Sequence, residues 1–181
     1  MGNRAVFIDR DGTINVNFGY INNPDDFKIY PSVAKGIKLL NENGFKIIII
    51  TNQSGIARGY FSEDALEKIH EKMKSELSRN GAEIDAIYFC PHHPDEGCRC
   101  RKPGTELFEQ AIIDLDINAE KSFVIGDRML DVEAGYKIDC KTVLVPEDKE
   151  KVSEEMKDSN VKPDYVCDDF SSGVRWILEN M

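Results

Sequence analysis

No stretch of this 181-residue chain approaches the ~20 consecutive apolar residues of a membrane span, so no membrane partner is expected. Positive charge is also scarce: 23 Lys and Arg stand against 33 Asp and Glu, a net charge of -10. A protein that coats nucleic acid needs the reverse balance, so no nucleic-acid partner is expected either. Met1-Gly2-Asn3-Arg4 runs straight into an apolar segment with no leader pattern. Gly2 is a poor myristoylation site because position 6 is Val rather than Ser or Thr. A cytoplasmic, monomeric protein is the expectation. The GxxxxGK[ST] phosphate loop is missing, which excludes a P-loop NTPase. There are only five cysteines, an odd number, which suits metal ligands or plain thiols better than a disulfide framework. Repeats, low-complexity blocks and linkers are absent, and residues 1–181 read as one domain large enough for a real core.

What is present is organised around Phe7-Ile8-Asp9-Arg10-Asp11-Gly12-Thr13-Ile14. The apolar run from Ala5 to Ile8 is short, β-branched and aromatic, and reads as a buried strand. Two acids directly after it are not made for packing. Close carboxylates repel, so one needs a raised pKa or a cation between them. The first arrangement gives an acid–base pair, the second a Mg2+ site. An Asp-Gly turn with solvated acids is the bland alternative.

The rest of the chain alternates. Residues 15–30 read as a loop, and Pro31-Ser32 starts a helix with Ser32 as N-cap. Phe45 to Ile50 is the strongest strand, its continuous apolar run suiting a parallel strand covered on both faces. Further strands are expected over Ile84–Cys90, Ser122–Ile125 and Thr142–Val145 and near Tyr165. Helices start near Ser62 and Asp131, and another is marked by Leu107 to Leu115. This order predicts an α/β fold, a three-layer doubly wound parallel sheet. Ligands of such sheets bind beyond the carboxyl ends of the strands. Asp9/Asp11, Thr51/Asn52 and Asp127/Arg128 all fall at those ends, which favours the catalytic reading of the opening stretch.

Asp9, Asp11 and Asp127 offer the hard oxygens that Mg2+ prefers, and Lys102 offers a point charge for phosphate. Together with Thr51 they describe phosphoryl transfer better than redox chemistry. Asp9-x-Asp11-Gly12-Thr13, Thr51, Lys102 and Gly126-Asp127-x-x-x-Asp131 resemble, in order, the four motifs of the haloacid dehalogenase (HAD) superfamily of phosphatases. "FIDRDGTIN", "TNQSGIARGYF", "CPHH…CRCRKP" and "GDRMLD" are similar to its D,D-heptose 1,7-bisphosphate 7-phosphatases and, less closely, to its histidinol-phosphate phosphatases. The resemblance implies that Asp9 is the nucleophile that becomes an aspartyl phosphate. It makes Asp11 the acid and then the base, with Thr51 and Lys102 on the phosphoryl oxygens. Mg2+ would be held by Asp9, the Asp11 backbone carbonyl and Asp127. Asp131 would orient Lys102 or a metal-bound water, or simply cap a helix.

Cys90, His92, Cys98 and Cys100 would make a closed tetrahedral zinc site of the structural kind. The spacing is not the common CxxC pair, and a metal-free reduced loop is the alternative; the resemblance, whose family carries this loop, favours zinc. His93 is the other candidate imidazole, and the family pattern favours His92. Cys140 and Cys167 read as buried thiols, and His70 as a surface or boundary residue without a role.

Neither gap between motifs is long enough for a folded cap domain of ~50 residues or more. Recognition then falls to residues 15–30, residues 53–61 and the Cys/His loop, with Asn52, Arg58, Arg101 and Arg128 as substrate ligands. Arginines suit a second phosphate, so the expected substrate is a small phosphorylated metabolite with two phosphates; the resemblance implies D-glycero-D-manno-heptose 1,7-bisphosphate, losing its 7-phosphate. The alternatives are a histidinol-phosphate phosphatase and, in another class, a non-catalytic zinc-stabilised phosphate-binding module. "TNQ-x-G" also resembles polynucleotide 3′-phosphatases, against which the net acidity counts.

Overall fold

Phe45-Lys46-Ile47-Ile48-Ile49-Ile50 forms the core of strand β2 (Phe45–Asn52), buried on both faces. Its neighbour β1 (Arg4–Ile8) pairs with it in parallel, Val6 against Ile47 and Ile8 against Ile49. In both strands successive side chains enter different cores. Val6, Ile8, Ile47 and Ile49 pack on one face, and Ala5, Phe7, Ile48 and Ile50 on the other. A strand buried on both sides has no polar face, which is why these runs do not alternate in sequence.

The computed structural model describes residues 2–181. Four further strands complete the sheet: β3 (Ala86–Cys90), β4 (Phe123–Gly126), β5 (Lys141–Leu144) and β6 (Tyr165–Val166). The order is β3-β2-β1-β4-β5-β6, and every pairing is parallel. Helices α1 (Val33–Glu42), α2 (Glu63–Ser78) and α6 (Phe170–Glu179) cover the first face through Ile37, Leu40, Ile69, Met73, Val174 and Ile177. Helices α3 (Glu106–Asp114) and α4 (Met129–Lys137) cover the second through Phe108, Ala111 and Ala134. Helix α5 (Lys149–Asp158) adds a small cluster in which Val152 joins Met129, Val132 and Leu144. This is the three-layer doubly wound sheet that the alternation predicts. The chain builds outward from β1 to β3, then returns to add β4 on the other side of β1. That reversal opens a crevice above the carboxyl ends of β1, β2 and β4.

Local details depart from the sequence expectations for physical reasons. Ser32 precedes α1, but its side chain caps nothing; Val33 N donates to Tyr30 O in the entering turn. Strand β3 starts at Ala86 rather than Ile84, because Asp85 takes Ile47 N on its carboxylate while its own N–H donates to Ile47 O. Helix α4 begins at Met129, two residues before Asp131, because Arg128 N donates to the Asp131 carboxylate and closes the first turn. Among the described residues no helix is long and apolar enough to cross a membrane.

Candidate active site

Asp9 follows directly on β1, and its N–H donates to Ile125 O of β4, which fixes it over the crevice. Lys102 meets it from the loop between β3 and α3. The Lys102 ammonium lies 2.5 Å from Asp9 Oδ1, 2.6 Å from Asp131 Oδ1 and 2.7 Å from Ile50 O. The contacts with Asp9 and Ile50 O are hydrogen bonds; that with Asp131 Oδ1 is an ion pair, and this buried oxygen has no hydrogen-bond partner. Lys102 is almost wholly buried. Burial alone would lower its pKa, but Asp131 and Asp9 outweigh it and drive the value up, so Lys102 stays charged. Asp131 thus both pairs with the lysine and caps α4, two of the three roles open to it in the sequence.

Asp11 has a different set of partners. Arg10 Nη2 donates to both of its carboxylate oxygens at 2.8 and 2.7 Å, and Arg10 Nε donates to Oδ1 at 3.1 Å. Asn15 Nδ2 and Gln53 Nε2 add hydrogen bonds of 3.0 and 2.8 Å. Burial pushes the Asp11 pKa up, but Arg10, Asn15 and Gln53 more than offset it and hold the group ionised. Gln53 also donates to Thr51 Oγ1 at 2.8 Å, leaving the Thr51 hydroxyl hydrogen free to face a ligand.

The charges do not close within the protein. Arg10 neutralises Asp11, and Lys102 is shared between Asp9 and Asp131. Buried Asp127 has no basic partner of its own among the described residues. Burial, then the charges of Asp9 and Asp131, push Asp127 up to about 9; burial pushes Asp9 up to about 6. Oxygens of Asp9, Asp127 and Asp131 all lie within 4.8 Å of one another. Three hard carboxylates around one lysine fit a divalent cation such as Mg2+. The Asp11 side chain is not in this cluster; its carboxylate is spent on Arg10, Asn15 and Gln53. Gly12 is the close neighbour of the cluster. Its φ of +91° is a left-handed conformation, and a Cβ there would meet Asp127 Oδ2 at 2.5 Å and Glu147 Oε2 at 3.1 Å.

The Cys/His loop forms a second cluster. Cys90, His92, Cys98 and Cys100 bring three sulfurs and His92 Nδ1 together, with contacts of 3.0–3.6 Å. All five cysteines are free thiols. Three soft sulfurs and an imidazole suit a tetrahedral zinc-type ion. His93 is occupied otherwise: its Nδ1 accepts from Asp95 N, and its N–H donates to Glu96 Oε1. His92 is therefore the imidazole of this cluster. The loop is tied to the crevice at three places. Gln53 N donates to Cys90 O, Ala57 N donates to Pro91 O, and Asn52 grips the Lys102 backbone from both ends of its amide. Asn52, expected as a substrate ligand, has both ends of its amide on the Lys102 backbone.

Residues 99–172 match the HAD-hydrolase-like family model. The D-glycero-beta-D-manno-heptose-1,7-bisphosphate 7-phosphatase of Haemophilus ducreyi is 41% identical over 176 residues, 93% of this chain and 97% of that protein. A probable D-glycero-D-manno-heptose-1,7-bisphosphate 7-phosphatase of Thermoplasma volcanium is 46% identical over 69% of this chain and 86% of its own length. The chain belongs to the haloacid dehalogenase superfamily, in its heptose bisphosphate phosphatase branch. A crystal structure of the D,D-heptose 1,7-bisphosphate phosphatase of B. bronchiseptica, complexed with magnesium and phosphate, superposes with a TM-score of 0.88 at 28% identity, covering 98% of this chain and 99% of the other.

As a HAD protein the chain carries no large cap among the described residues. The segment between β1 and α1 is a loop with one short 3-10 turn (Pro24–Asp26), and α2, β3 and the Cys/His loop fill the second gap. Of the three arginines expected to grip substrate, Arg128 is already engaged. Its Nε and Nη2 donate to Glu155 Oε1, and Glu155 Oε2 takes Met129 N. Arg101 Nη1 is buried without a hydrogen-bond partner. Arg58 is exposed, 6.0 Å from the Tyr20 ring, which packs edge-on to Tyr60 at 4.7 Å.

Four residues of this HAD site escape the sequence reading: Arg10, Asn15, Gln53 and Glu147. The first three lie inside or beside the first two motifs, so a search for hydrogen-bond donors near Asp11 could have found them. Glu147 accepts from Tyr30 Oη at 2.6 Å and Asn17 N at 3.0 Å, tying the first loop to the segment after β5. No local signal connects positions so far apart. His70, read as a surface or boundary residue, is buried against Phe89, its Nε2 3.2 Å from Arg10 Nη1.

Proposed function

We propose that this HAD phosphatase is Mg2+-dependent and removes the 7-phosphate of D-glycero-D-manno-heptose 1,7-bisphosphate through an aspartyl-phosphate intermediate. The observation that carries the reading is the pairing of Asp9 with Lys102 beside an otherwise uncompensated Asp127. A non-catalytic module has no use for such a buried nucleophile. The sequence identity to named heptose bisphosphate phosphatases supports the substrate class.

In the first half-reaction an Asp9 oxygen attacks phosphorus, and the bond from phosphorus to the sugar oxygen breaks. A proton from Asp11 goes to that leaving oxygen. In the second, Asp11 takes a proton from water as the water oxygen attacks phosphorus, which frees the Asp9 carboxylate and inorganic phosphate. Asp11 rests ionised, the state the second half needs; its acid form arises when a proton from solvent joins Oδ2, while Arg10 Nε and Nη2 keep their bonds to Oδ1. Lys102 steadies Asp9 and presents positive charge to the phosphoryl oxygens, and the Thr51 hydroxyl donates to one of them. Asp9, Asp127 and the Asp11 backbone carbonyl would hold Mg2+, which when bound neutralises charge on the transferring group. Cys90, His92, Cys98 and Cys100 would hold a structural zinc that fixes the loop leading into Lys102.

Two substitutions test the parts. Gly12→Ala places a methyl group against Asp127, so the Mg2+ concentration for half-maximal activity should rise by about ten- to hundredfold. Metal titration of phosphate release checks this, and an unchanged requirement counts against Asp127 as a ligand. Arg58→Ala removes an exposed arginine that makes no ion pair among the described residues. Loss of a charge-assisted bond to a distal phosphate costs roughly 1.5–3 kcal/mol, about ten- to hundredfold in kcat/KM. A monophosphate has no distal anion and should be spared. An unchanged ratio between bisphosphate and monophosphate removes Arg58 from recognition.

A further inference from the structure

Arg10 stands between the two aspartates of the first motif, yet it is 1% exposed. A buried guanidinium needs partners for its donors. One edge, Nε and Nη2, goes to Asp11. The Phe27 ring lies 5.8 Å from Cζ. The remaining nitrogen, Nη1, faces Nε2 of His70, on helix α2, at 3.2 Å. A guanidinium has only donors. Nε2 therefore accepts, and the ring is neutral with its proton on Nδ1. Burial, then the Arg10 charge, push the His70 pKa down to about 3, in line with a neutral ring. Asp11 holds only the Nε/Nη2 edge of Arg10, from the adjacent residue of a turn, and leaves Nη1 without a partner of its own. An acceptor held by α2 and packed against Phe89 supplies that partner.

We propose that His70 is a positioning residue for catalysis: by accepting from Arg10 Nη1 it fixes the guanidinium, which aims the Asp11 carboxylate at the leaving oxygen. The inference rests on the reading of Asp11 as the acid and base. It gives α2, which holds none of the family motifs, a part in the reaction.

The test compares His70→Phe, which removes the acceptor, with His70→Gln, whose amide oxygen reaches the place of Nε2. Each is assayed on an alkyl phosphate and on 4-nitrophenyl phosphate, whose leaving group needs no proton, with thermal melting alongside. kcat/KM reports the step that forms the aspartyl phosphate, so a misaimed acid harms only the alkyl ester. His70→Phe should lower the alkyl phosphate value about tenfold more than the aryl value, through kcat rather than KM, with His70→Gln within about threefold of the parent. Equal losses on both esters in His70→Phe, or a His70→Gln as impaired as His70→Phe, overturn the inference. Asp11→Asn is the reference. If it too lacks the alkyl-over-aryl penalty, the acid role of Asp11 fails and the inference falls with it. If Asp11→Asn shows the penalty and His70→Phe does not, only the role of His70 is lost.

Discussion

Asp9→Asn is expected to lower kcat by at least about a thousandfold, a barrier increase of ~4 kcal/mol, while the protein stays folded. An amide oxygen retains the shape and can still accept from Lys102, but it is no nucleophile. The stability change should be small because the substitution removes a buried charge that burial already disfavours. Lys102 keeps Asp131 and Ile50 O as partners. Phosphate release and thermal melting measured on one preparation separate the two effects. Turnover within about tenfold of the parent, a change of only ~1.4 kcal/mol, would rule out the covalent route through Asp9.

The second large effect concerns the Cys/His cluster. Structural zinc is worth ~10–16 kcal/mol in isolated zinc-finger peptides. If a quarter of that acts on this folded domain, its loss lowers Tm by roughly 5–16 °C. Chelation or Cys98→Ser should therefore destabilise the protein and also slow it. Slowing follows because Cys100 lies two residues before Lys102, and Asn52 clamps the Lys102 backbone. A loosened loop misplaces the ammonium that meets Asp9. Metal content by elemental analysis, melting and kcat give three readouts. Zinc-free protein with full stability and activity would refute a structural zinc.

The sheet was legible because its strands are buried on both faces, so Phe45 to Ile50 could be nothing but an internal parallel strand. The acids at the strand ends were legible for the converse reason: Asp9, Asp11 and Asp127 follow apolar runs where packing has no use for charge. The Cys/His spacing marked its cluster in the same way, since four soft ligands fall within eleven residues of sequence, Cys90 to Cys100. What escaped was pairing over distance. Glu147 reaches Tyr30 and Asn17 from the segment after β5, and Glu155 pairs with Arg128 from α5. His70 lies beside the α2 stripe of Leu66, Ile69, Met73 and Leu77, so periodicity alone placed it at the boundary. Its burial depends on Phe89 and Arg10, from two other segments. Asn52 shows the same limit, since its type suits a ligand equally well and only the fold sets Lys102 beside it.

The central claim is tested most directly by incubating the protein with D-glycero-D-manno-heptose 1,7-bisphosphate, with and without Mg2+. Released phosphate is measured, and phosphorus NMR locates the phosphate that remains. The account predicts Mg2+-dependent loss of the 7-phosphate alone, with kcat/KM at least about a hundredfold above that for histidinol phosphate, a margin of ~3 kcal/mol. Release indifferent to chelation of Mg2+, loss of the 1-phosphate, or faster hydrolysis of histidinol phosphate would contradict it.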